Sequence, residues 1–279
     1  MPYPLWGVTM AASATSRKTS DSDAGMNRRN FLFLSASALA ASALPASAWA
    51  LDRQHRITIA RLTYPGGNDD PRPGALRRLL QEVDKRTSIE VDTSIPAVAG
   101  SLEELFHYPL VWMTGDRGYD PLDDETISAL RAFLHAGGFL FVDSAEGLTD
   151  GPFNQSVERT MGRIFPDRRL RVVPRDHTLH QSFYLIDRPV GRIDISGNLR
   201  AIEDGDRLSV VVNSNDLLGA LARDTFGNWE YNVSPGGERQ RELAYRLAIN
   251  VVMYALTINY KADQVHIPFI LRRRRWRVD

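Results

Sequence analysis

An α/β fold, with a mostly parallel, doubly wound sheet and helices on both faces, is what this sequence predicts. Three observations carry that expectation. Short β-rich apolar runs alternate with amphipathic helical stripes, the pattern of successive βα units. The run 110–114, Leu-Val-Trp-Met-Thr, is almost wholly apolar, as in a strand covered on both faces. Residues 108–147 read as strand, polar loop, amphipathic helix, glycine stop and strand, which makes one βαβ unit.

Taken in order, residues 56–63 are β-rich and predict a first strand, with Tyr64-Pro65-Gly66-Gly67-Asn68-Asp69-Asp70 as the loop at its carboxyl end. A helix is expected from about Pro73, a residue suited to a first helical turn, with Leu76, Leu79, Leu80 and Val83 on one face. Residues 89–93 predict a short second strand and 102–106 a brief helix. After the third strand, 110–114, Gly115-Asp116-Arg117-Gly118 turns. Asp123-Asp124-Glu125 then put negative charge where a helix N-terminus favours it, and Ile127, Leu130, Phe133 and Leu134 form the buried stripe. Gly137-Gly138 end that helix, one of them left-handed, and 139–142 form the fourth strand. A helix over about 155–164 and a strand over 170–173 follow. Residues 208–212 are a further apolar strand, closing on Asn213-Ser214-Asn215-Asp216, and 225–237 read as a long surface loop. Leu243, Leu247, Val251, Tyr254 and Ile258 make a helical stripe through 239–259, inside which Asn250 is expected to satisfy buried backbone groups.

The N-terminal 50 residues stand apart. Arg28-Arg29 and Phe31-Leu32 precede an apolar run, then Pro45 and the small-residue site Ala48-Trp49-Ala50, the pattern of a twin-arginine export signal. The run, residues 31–44, is about 14 residues, short of the roughly 20 that span a bilayer. Residues 1–25 carry no structural pattern, which leaves Met26 as well as Met1 as a start. The expected organisation is an extension and signal peptide over 1–50, one α/β domain over 51–270 and a basic tail over 271–279. The expected location is the periplasm or another exported compartment, with association to a membrane as an option.

Charge and cysteine content exclude several functions. The chain has 34 basic and 34 acidic residues, so nucleic acid is not an expected partner. It has no cysteine, which removes disulfides, thiol nucleophiles, thiolate metal ligands and iron–sulfur clusters. The tail carries Arg272, Arg273, Arg274, Arg275 and Arg277 beside Trp276, a composition suited to an anionic lipid surface or an acidic envelope protein.

The motifs Tyr64-Pro-Gly-Gly, Tyr108-Pro-Leu-Val-Trp-Met, Ala136-Gly-Gly-Phe-Leu-Phe-Val-Asp143, Asp176-His177, Asn213-Ser-Asn-Asp216 and Arg246-Leu-Ala-Ile-Asn250 occur in this order. As a set they resemble the bacterial family known as domain of unknown function 4159, over nearly the whole of residues 51–279. That family looks like a member of the class I glutamine-amidotransferase-like, flavodoxin-like folds, which trehalose-utilisation proteins share. The resemblance implies the scaffold. The catalytic members use a cysteine on a strand-to-helix elbow, and this chain has none, so their chemistry does not transfer.

The candidate site residues follow from strand direction, because doubly wound sheets bind ligands at their carboxyl edge. Tyr64, Asn68, Asp116, Arg117, Asp143, Asn213 and Asp216 are the expected ligand-binding set, with His177 converging on the same rim. For catalysis the candidates are His177 as general base, Asp143 and Ser144, although Val142-Asp-Ser-Ala-Glu146 is not a G-x-S-x-G elbow. His177 and His180, at i and i+3, lack an evident third ligand, so no metal and no cofactor are expected. Two functions remain: a non-catalytic module binding a ligand or partner, or a hydrolase, with carbohydrate as one substrate class, using His177 with Asp143 or Asp116.

Overall fold

A computed structural model of the chain describes residues 56–274, with side chains described to Thr257. The export-signal pattern, and the side chains of Arg272 to Arg275 and Arg277, lie outside the described residues.

Seven strands form one sheet in the order β2-β1-β3-β4-β7-β6-β5. They are β1 (Ala60–Leu62), β2 (Ala97–Val98), β3 (Leu110–Gly115), β4 (Phe139–Ser144), β5 (Arg171–Val172), β6 (Arg200–Asp204) and β7 (Arg207–Asn213). Neighbours among β2, β1, β3, β4 and β7 pair in parallel, whereas β6 pairs antiparallel with both β7 and β5. The helices are α1 (Ala75–Arg86), α2 (Leu102–Leu105), α3 (Asp124–His135), α4 (Pro152–Ile164) and α5 (Gly237–Arg274).

Period-two alternation within the apolar strands sends successive side chains to opposite faces and builds two cores. Leu110, Trp112, Phe139, Phe141 and Val211 face α1 and α5, while Val111, Met113, Leu140, Val142 and Val210 face α3 and α4. Trp112 and Phe141 set the centre of the first core, their rings 4.4 Å apart. Asp123 caps α3 by accepting a hydrogen bond from the Thr126 amide at 2.7 Å, and Gly137 leaves the helix at φ 111. The sheet is the expected mostly parallel, doubly wound one, flanked by helices.

Three elements differ from expectation. The second strand is Ala97–Val98, whereas residues 89–93 keep only an isolated bridge between Val91 and Ile57. Pro96 separates the two patches: its carbonyl accepts from Arg61 at 2.8 Å, but it has no N–H for the next rung. β6 has no counterpart in the sequence reading, although Asp204-Gly205, with Gly205 at φ 64, is a hairpin-turn signal between β6 and β7. Helix α5 runs to Arg274, past the expected end at 259.

Asn250 does what its place in an apolar helix implies. Its Oδ1 accepts from the amides of Phe183 (3.2 Å) and Tyr184 (2.7 Å), and its Nδ2 donates to the carbonyls of Leu179 (3.1 Å) and Tyr184 (2.7 Å). One amide thus fastens the 179–184 loop to α5. Asn250→Ala leaves that loop's polar groups unpaired at a buried site, and a loss of about 2–4 kcal/mol in urea unfolding is expected. A loss under about 0.5 kcal/mol would show that water replaces the amide.

Candidate functional site

The chain leaves β1 for β2 on one side, and β3, β4 and β7 follow on the other. Among the parallel strands this is the order 2-1-3-4-5, whose strand order reverses between β1 and β3. The loops leaving β1 and β3 therefore border a crevice at the carboxyl edge. Tyr64 crosses it, donating from its hydroxyl to the Thr114 carbonyl at 2.5 Å, with the Asn68 carbonyl also in range at 3.0 Å. Asn68 Nδ2 donates to Asp116 Oδ2 at 2.8 Å, and Arg117 Nε donates to Asp116 Oδ1 at 3.0 Å. Burial, then the nearby Tyr119, Asp69 and Asp116, push the Tyr64 phenol above its ordinary range. Gly115 permits this packing, since a Cβ there would stand 2.3 Å from the Phe153 ring and 2.4 Å from the Tyr64 hydroxyl.

Asp143, one residue before the end of β4, stands beside this crevice and is completely buried. Its Oδ1 accepts from Asn213 Nδ2 (2.8 Å) and the Leu217 amide (2.9 Å), and its Oδ2 from the Leu218 amide (2.8 Å). It therefore holds the start of the 3-10 turn Leu218–Ala220. Burial first, and the charge of Asp216 second, push its carboxyl up to about 7, against the pull of those three donors.

Asp216 is also fully buried, and it adopts a left-handed backbone at φ 53. Arg72 grips it with a two-pronged fork, Nε to Oδ1 at 3.0 Å and Nη2 to Oδ2 at 2.6 Å. Arg192 Nε donates to the same Oδ2, and the Gly219 amide donates to Oδ1 at 3.1 Å. The Arg72 guanidinium stacks 4.2 Å from the Tyr231 ring, so the surface loop after Ala222 closes over the ion pair. Burial would lower the Arg72 pKa, but Asp216 and Tyr231 outweigh it and raise it.

Ser144 is buried, with its hydroxyl 3.2 Å from Asn154 Nδ2. The exposed amides at the start of α4 would suit an anion, but Glu146 fills that place. Its Oε1 accepts from the Phe153 amide at 2.9 Å, and Asn154 Nδ2 ties the turn to the Leu148 carbonyl at 2.8 Å.

His177 does not join the rim, which corrects the expected convergence. Its ring packs 5.4 Å from that of Tyr254, which sits 5.6 Å from Phe139 at the start of β4. The Tyr254 hydroxyl accepts from the Leu208 amide at 2.9 Å, again at the amino edge. Four residues of strand, roughly 13 Å, separate Phe139 from Asp143. After β5 the chain descends across the sheet face to α5 instead of stopping at the edge. His177 Nδ1 accepts from the Leu179 amide at 3.1 Å and caps a 3-10 turn, while burial lowers its pKa against Glu203 and Asp176. The hydrolase pairings of His177 with Asp143 or Asp116 lack the hydrogen-bond reach that general-base catalysis requires. Among the described residues no group of three or more His, Asp or Glu side chains is placed to hold a metal ion.

The edge thus brings together Tyr64, Asn68, Asp116 and Arg117 in the crevice and Asp143, Asn213 and Asp216 beside it. Arg72, Arg192 and Glu146, which complete the arrangement, were not legible in the sequence. Arg72 lies 144 residues from Asp216, and no local spacing links them. No match to a curated protein is found. Residues 58–256, from the lead into β1 to the described part of α5, match the model of a family described as a domain of unknown function, DUF4159, and the chain belongs to that family.

Proposed function

We propose that this DUF4159 protein is an exported, non-catalytic, amidotransferase-like module that binds a ligand or a partner protein at the carboxyl edge of its sheet. The observation that carries this reading is the saturation of its buried acids. The oxygens of Asp143 and Asp216 are taken up by the chain's own amides, asparagine and arginines. Among the described residues no histidine stands beside them, and Ser144 faces an amide instead of a base. What the edge leaves accessible is the Asn68–Asp116–Arg117 group, with the Asp116 side chain 33% exposed and that of Arg117 64% exposed, at the position where this strand order binds ligands. The twin-arginine pattern supports export. The arginines 272–275 and 277 support contact with an anionic membrane or an acidic envelope protein.

A thermal-shift ligand screen on residues 51–279 tests the site. A binder is expected to raise the Tm of the wild-type domain and to lose that effect in the Asp116→Ala/Arg117→Ala variant, whose own Tm changes little because both side chains are accessible. A binder whose shift is the same in both proteins would remove the crevice from the proposal.

A further inference from the structure

A second concavity lies away from the carboxyl edge, between the later turns of α4, the loop after it and β6. It has a volume of about 680 Å³, within the range of small-molecule sites. Its apolar lining is Pro166, which is exposed, and Leu170, which is half-buried, over Met161 of α4 and Ile202 of β6, each almost fully buried. Its walls carry Arg159, Arg168 and Arg169 against one acid, Glu158.

The pairing of these charges leaves a surplus. Glu158 is already engaged by Arg200, and Arg168 by Asp204 at 2.8 Å. Among the described residues no carboxylate pairs with Arg159 or Arg169. Arg159 donates to the Ser156 hydroxyl at 2.7 Å, and Arg169 to the carbonyls of Pro166 and Arg168 at 3.0 Å each. Two guanidinium groups from different elements therefore border an apolar floor without a counter-ion, on a chain whose formal net charge is zero.

Gly162 is an independent observation at the same place. It lies inside α4 and lines the groove, and a Cβ there would meet nothing within 4 Å. In the last turn of a helix a glycine still costs up to about 1 kcal/mol relative to alanine. No neighbour in the fold requires it, yet its lack of a side chain keeps the groove open to the α4 backbone.

We propose that this groove is a binding site for a phosphate monoester carried on a compact apolar or aromatic body. The dianionic head lies between Arg159 and Arg169, where guanidinium forks match phosphate oxygens, and the body covers Pro166 and Leu170 beside Gly162. This site is separate from the carboxyl-edge crevice, and either can fail without the other.

Phenyl phosphate serves as the probe, with inorganic phosphate and phenol as controls, read by thermal shift on residues 51–279. Phenyl phosphate is expected to raise the Tm saturably, by about 3–5 °C at roughly tenfold above its Kd, with a smaller shift for inorganic phosphate and none for phenol. The Arg159→Gln/Arg169→Gln variant is expected to lose that shift. Gly162→Leu fills the groove without touching a charge, and is expected to lose the shift while its own Tm holds or rises. No saturable shift in the wild type, an equal shift with inorganic phosphate, or a shift that persists in either variant would overturn the proposal.

Discussion

Asp216→Ala is expected to destabilise the domain by about 3–5 kcal/mol, because it strands two arginines that were assembled around one buried carboxylate. The fork from Arg72 at 2.6 and 3.0 Å and the Arg192 contact both lose their acceptor. The guanidinium groups are then left facing each other under Tyr231, and the Gly219 amide loses its bond. The left-handed backbone at φ 53 adds a penalty of about 1 kcal/mol for alanine, which aspartate and asparagine bear more easily. Asp216→Asn separates the two causes, since it keeps the local geometry and removes the charge. Urea unfolding of both variants, with Arg72→Met in a double-mutant cycle, measures the coupling. A coupling energy below about 0.5 kcal/mol between positions 72 and 216 would mean that the clamp adds little beyond packing.

The fold was legible where two periodicities were strong. Strands β3, β4 and β7 alternate side chains between two covered faces, so their apolar runs marked them. The stripe Ile127, Leu130, Phe133, Leu134 fixed α3, all four being buried. Legibility failed at the sheet's edges. β2 has two residues, too few for any period to show, whereas the strand expected over 170–173 is present as β5, Arg171–Val172, although both of its residues are exposed. β6 mixes Arg200, Glu203 and Asp204 with two apolar residues, and pairing with β7 makes it a strand.

At the site, strand direction correctly brought the residues after β1, β3, β4 and β7 to one edge. It failed for His177 because the rule applies to a loop that turns at the strand's end, and the chain after β5 instead crosses the face to pack Leu179 into the core beneath α5. It was silent on Arg72 and Arg192, since an arginine in a polar loop looks the same whether it faces water or a buried acid. Asp143 was legible as a residue at a strand exit, but its chemical state was not. That depends on Asn213, Leu217 and Leu218, 70 to 75 residues further on.

That chemical state gives the second large effect, a stability that falls as pH rises toward neutrality. Burial and Asp216 raise the folded-state pKa of Asp143 from 3.8 to about 7, so between those values the folded chain holds a proton that the unfolded chain has released. Stability from this group is therefore fully present below about 4 and is lost as pH rises through about 7, by on the order of 4 kcal/mol. Other carboxyls act in the opposite sense. Burial works against ionisation of Asp204, but hydrogen bonds from Arg168 and His135 hold it below its ordinary range, so its contribution is lost as pH falls. The wild-type profile sums both slopes, and Asp143→Asn isolates one of them. The variant's amide is a poor partner for the Leu218 N–H, a penalty that does not depend on pH. The variant is thus expected to be less stable than wild type near pH 5, with the gap narrowing steadily toward pH 8. Tm measured for both proteins across that interval decides the matter. A gap that stays constant would show that the three N–H donors keep Asp143 ionised throughout, and that its burial is fully offset by the fold around it.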